Sequence, residues 1–210
     1  MNGELSNNGL ELTKPAPAME LRSSTWRSPD LEGGRGQGLS EIDAAIVEET
    51  WQDVADFSAA RVRKEMAHAA REQPDLLAFV LGLTESLPRR VNELAGYIYF
   101  VIWQAFCRST KGKLPRVKAP AIDRKFKANE QALERLQGAN ARFLEKAALA
   151  QITKQAAVFA YMVEAIFEAD QDEEDPVEMT EEQSGTLFWV LKTVIDVLHE
   201  TRQSMPRGTG

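Results

Sequence analysis

The stretch Leu94-Ala-Gly-Tyr-Ile-Tyr-Phe-Val-Ile-Trp-Gln-Ala-Phe-Cys107 is the most apolar run in the chain, and its reading decides the fold. Its fourteen residues include Gln104 and fall short of the roughly 20 that a bilayer-spanning helix needs. It therefore reads as a helix buried in a protein core. Pro88 lies just ahead of it and sets the start, so the helix should run from Arg89 to about Ser109.

Upstream, Asp75 can cap a short helix from Leu76 to about Leu87, apolar all round and hence expected to be buried. Before Pro74, an amphipathic helix is expected from Ser40, whose spacing to Asp43 matches a capping box, to about Arg71. Downstream, Gly112, Pro115 and Pro120 mark a connection, and helical character resumes near Ile122. From there to about Asp170 two helices are expected, broken at Gly138-Ala-Asn140, because glycine costs about 1 kcal/mol in a helix interior. Thr180-Glu-Glu-Gln183 forms a second capping box ahead of a final helix to about Arg202.

No strand alternation or repeat is apparent. The expected fold is all-α: one domain over 40–202, a bundle of about five or six helices. Residues 1–39, with scattered Pro, Gly, Ser and Asn, read as a flexible tail, and 203–210 as a flexible C-terminus.

Composition narrows the function classes. The chain has 210 residues, 43% hydrophobic and 27% charged, ordinary for one soluble domain. A net charge of −7 argues against a generic nucleic-acid binder or a membrane-surface protein. Cys107 is the single cysteine, and no basic start followed by an apolar run opens the sequence, so a cytoplasmic location is expected. The Gly33-Gly34-Arg35-Gly36 segment follows no strand and is not a phosphate loop. Gly-x-Ser-x-Gly, His-Glu-x-x-His and Gly-x-x-x-x-Gly-Lys patterns are all missing, so the reading leans away from an enzyme and no cofactor is expected.

The two histidines each follow an acid by three residues, as Glu65 with His68 and Asp196 with His199. That spacing puts carboxylate and imidazole on one helical face, as metal sites in bundles require, and it is also an ordinary ion-pair spacing. In a continuous first helix, Glu65 and His68 fall within the inward stripe of Val47, Trp51, Val54, Phe57 and Val62. They are then either metal ligands or a structural cluster with Arg61, one turn back. Asp196 falls on the solvent side of the last helix, which weakens the second pair. Cys107 reads as a packed core thiol.

Charge is unevenly distributed. Arg108 to Lys127 contains eight basic residues against Asp123 alone, a net of +7, so the rest of the chain carries −14. Glu164 to Glu182 holds ten acids and no lysine or arginine. Lys111, Lys113, Arg116, Lys118, Arg124, Lys125 and Lys127 are thus candidate interaction residues for an acidic partner or a second copy of the chain. Phe126 stands alone as an aromatic there, so stacking on nucleic-acid bases is poorly supported.

The leading expectation is a non-catalytic helical protein working through protein–protein contacts, as a homo-oligomer or adaptor. The alternative is a small-molecule- or metal-binding bundle centred on Glu65 and His68 with Tyr97, Tyr99 and Trp103. A third reading is anion or nucleic-acid binding by the basic segment. Whether Glu65 and His68 face a cavity separates the second reading from the first.

Overall fold

The computed structural model describes residues 41–110, 114–136, 154–167 and 177–205. The tail 1–39, Ser40 with its expected capping box, residues 206–210, Lys111, Lys113, Gly138-Ala-Asn140 and residues 168–176 of the acidic segment lie outside them. Among the described residues there are seven helices and no strand. They are α1 Ala44–Ala55, α2 Ala59–Glu72, α3 Pro74–Thr84, α4 Arg89–Ser109, α5 Ala119–Leu136, α6 Ala156–Phe167 and α7 Glu181–Gln203.

The count exceeds the expected five or six because the first long amphipathic stretch is two helices. Asp43 caps α1, its carboxylate accepting from Ala45 N at 2.9 Å. The chain then breaks at Asp56-Phe57-Ser58, where Ser58 is extended and its hydroxyl accepts from Arg61 N to cap α2. At the break Phe57 turns into the core (4% exposed) and meets Phe100 edge-on at 6.5 Å. Burying a phenylalanine is worth about 1.5 to 3 kcal/mol, enough to offset the ladder hydrogen bonds that the kink forgoes.

Two helices form the centre. α4 has the predicted bounds, and Ile98 to Trp103 are all buried, so that part of the helix is enclosed on every side. α7 begins at the predicted capping box, with Thr180 Oγ1 accepting from Gln183 N and Gln183 Oε1 from Thr180 N. α3, α4, α5 and α6 pack around α7; α1, α2, α3 and α6 pack around α4.

α3 buries only the stripe Leu76, Val80 and Thr84, while Leu83 is exposed, so it is not enclosed all round as expected. Pro74 sits inside its first turn. Asp75, expected to cap α3, instead accepts from Ala119 N at 3.1 Å, at the start of α5. α5 and α6 are separate helices, since Lys154 and Gln155 are non-helical. No helix among the described residues is long and apolar enough to cross a membrane.

Candidate functional site

The break at Phe57 resets the phase of α2 and moves the Glu65 and His68 side chains off the core. Glu65, His68 and Glu72, three and four residues apart on one face of α2, confront Trp103, Gln104 and Cys107 of α4. With Leu114 from the following loop they line a groove of about 250 Å³. The His68 ring lies against Trp103, centroids 5.7 Å apart at 67°.

The expected Arg61–Glu65–His68 cluster is replaced. Arg61 is exposed and lies over the Phe57 ring, 3.7 Å from its centroid, because Phe57 at the kink offers an aromatic face within reach. Of the aromatics expected beside Glu65 and His68, Trp103 lines the groove. Tyr99 is fully buried, and burial raises its pKa well above the ordinary value. Tyr97 is half-buried, and burial pushes its hydroxyl up to about 12. Among the described residues no three His, Cys, Asp or Glu side chains come together as metal donors.

Cys107 packs against the core, as expected, and is partly exposed at the groove wall. Burial pushes its thiol up to about 11, the Glu72 charge adds to the rise, and a backbone hydrogen bond from Leu114 opposes it. It is held as a thiol, whereas nucleophilic chemistry needs the thiolate.

The far wall of the groove is positioned by one residue that local sequence patterns do not mark. Gln73, fully buried at the junction of α2 and α3, donates from Nε2 to Pro115 O at 3.0 Å and accepts at Oε1 from Val117 N at 2.9 Å. Arg116 donates to the carbonyls of Arg71 and Glu72 at the end of α2, where a cation complements the helix dipole. The loop carrying Leu114 is thereby stitched to the α2–α3 corner.

Much of the basic segment is used within the fold. Arg108 pairs with Asp53 at 2.7 Å, Arg116 closes α2, and Lys125 pairs with Glu200. Phe126 meets Phe79 edge-on at 5.5 Å. Lys118, Arg124 and Lys127 are exposed.

A second polar cluster lies along α7 and includes Asp196 and His199, the second acid–histidine pair. Asp196 does not face open water as expected: its carboxylate accepts from Lys192 Nζ at 2.7 Å and from Asn129 Nδ2 at 3.1 Å. Asn129 also meets Thr193 and accepts from Lys192. Because helices pack around α7, charges there must be paired. His199 is buried, and its Nδ1 lies 2.9 Å from Gln155 Nε2, whose amide oxygen accepts from Ile42 N at 3.1 Å. Burial lowers the His199 pKa, and Lys154 and Arg202 lower it further against the opposing Asp196 and Glu200. With Gln155 Oε1 taken by Ile42 N, Gln155 Nε2 is the donor to His199 and Nδ1 the acceptor. The adjoining cavity of about 10 Å³ has room for about one water.

Compared with protein-family models, with curated proteins and with solved structures, the chain gives no match.

Proposed function

We propose that the protein is a ligand-binding helical bundle and that the groove between α2 and α4 receives a small molecule. The observation that carries this reading is that Glu65 and His68 line an open groove with Trp103 and Gln104 instead of closing on Arg61. A groove of about 250 Å³ lies just below the roughly 300 to 1,000 Å³ of drug-sized ligand sites and so suits a smaller molecule, as does its mix of one aromatic wall with a few polar groups. Native mass spectrometry of freshly purified protein tests it. A retained small organic mass is expected on the unmodified chain and should be missing from Gln104→Trp, which fills the groove. An unliganded mass for the unmodified chain, or the same adduct on both, counts against the reading.

A second reading, protein–protein contact as a homo-oligomer or adaptor, is favoured by the exposure of Lys118, Arg124 and Lys127 on and next to α5. Reversing those three charges should change assembly or partner capture at low ionic strength, where exposed charges are least screened. Unchanged behaviour in both assays would remove it.

A further inference from the structure

We infer that Ile42, Gln155 and His199 form a pH-sensitive clasp, which ties the segment ahead of α1 to the start of α6 while the imidazole is neutral and releases it on protonation. The clasp is independent of the groove between α2 and α4 and works through hydrogen-bond polarity. A side-chain amide has one accepting and one donating end. Ile42 N can only donate, so it holds Gln155 Oε1 toward itself at 3.1 Å and turns Nε2 toward His199 Nδ1 at 2.9 Å. Nδ1 must then be a bare acceptor, and the proton of the neutral ring sits on Nε2. That Nε2 is buried and has no hydrogen-bond partner among the described residues, so the Gln155 amide is what orients the ring.

Protonation puts a hydrogen on Nδ1 and sets donor against donor. Gln155 can meet the imidazolium only by turning its oxygen to it, and that takes the oxygen away from Ile42 N. A buried N–H without an acceptor is costly until it reaches water, so the backbone at Ile42 parts from Gln155. What remains at the junction is the bond from Ala156 N to the exposed Glu41 carboxylate.

The surrounding charges favour the closed state. Lys154, ahead of α6, and Arg202 of α7 oppose a further positive charge on His199, whereas Asp196 and Glu200 of α7 favour one. Both acids are already engaged, Asp196 with Lys192 at 2.7 Å and Glu200 with Lys125 of α5. Closure is therefore strongest above the ordinary imidazole pKa of about 6.5 and weakens as pH falls below it.

Amide hydrogen exchange of the full chain between about pH 7 and 5, corrected for intrinsic rates, tests the clasp. Opening at Ile42 should rise by up to about 25-fold over that range, the factor for releasing an imidazole of ordinary pKa. It should stay more frequent than opening at Ile102 within α4, which marks local release and not unfolding. Gln155→Glu should abolish the rise, because a carboxylate accepts from Ile42 N and from a protonated imidazole at once. In that variant the His199 pKa, read from its ring resonances, should move above the ordinary value. His199→Gln has no imidazole to protonate and should abolish the rise as well. Circular dichroism and melting temperature establish that each variant is folded; should one fail to fold, the other carries the comparison. Opening at Ile42 that is flat with pH in the unmodified chain overturns the inference. So does a rise that survives in either folded variant, or opening of Ile42 and Ile102 in step at every pH.

Discussion

Replacing Gln73 with alanine should loosen the loop that walls the groove while leaving the helices around it in place. The amide side chain is fully buried and makes two hydrogen bonds, one from Nε2 to Pro115 O and one from Val117 N to Oε1. After truncation the Pro115 carbonyl, on an exposed residue, can turn to water. The Val117 N–H belongs to a residue only 3% exposed and has no such recourse. An unsatisfied buried donor costs about 1 to 3 kcal/mol and an ordinary lost hydrogen bond about 1, so the expected destabilisation is roughly 2 to 4 kcal/mol. With a urea m-value near 2 kcal/mol/M, the midpoint of unfolding should fall by about 1 to 2 M. Amide exchange gives the local signature: Val117 should lose protection in the variant while α4 amides keep theirs until the global limit. A midpoint shift under about 0.3 M with Val117 still protected would refute the reasoning, since it would mean that Arg116 and Asp75 hold the loop without Gln73.

Two more perturbations read the cluster around α7. The lowered pKa of His199 means that, just below its ordinary value of about 6.5, the unfolded chain binds more protons than the folded one. Stability should therefore decline as pH falls through that value and level off beneath the folded pKa; His199→Gln should lack this part of the decline in urea melts between about pH 7 and 5, and parallel curves for the two proteins would contradict it. Lys192→Met should cost about 1 to 3 kcal/mol because it strips the cation from Asp196. Adding Asp196→Leu should recover part of that loss, as exchange of a whole buried pair for apolar groups often does; additive losses in the double variant would argue against their coupling.

The elements whose signals are local were legible in the sequence. α4 kept its predicted bounds since Pro88 and an uninterrupted apolar run act within a few residues of one another, and the Thr180 capping box acts within one turn. The division between α1 and α2 was not legible, because Ser58 in an amphipathic stretch fits a helix interior as well as a cap. In the fold Ser58 acts as the cap, its hydroxyl accepting from Arg61 N, and Phe57 beside it packs against Phe100. That single miss carried the misplaced Arg61 partnership with it, since every angular position beyond the kink was counted from the wrong origin. Gln73, Asn129 and Gln155 escaped for a related reason. Their partners are 42 or more residues away, and no spacing pattern marks an amide that is satisfied from across the fold.

The tie from Ile42 through Gln155 to His199 joins the segment ahead of α1 to residues made much later, Ile42 and Gln155 being separated by 113 in sequence. At a synthesis rate of roughly 5 to 20 residues per second, the segment leading into α1 waits about 6 to 23 s after its own emergence before its acceptor exists. During that interval α1 can lean on α4 but cannot be latched. The bond is thus a late event in the life of the nascent chain, and a product that stops short of Gln155 would leave the approach to α1 without this acceptor.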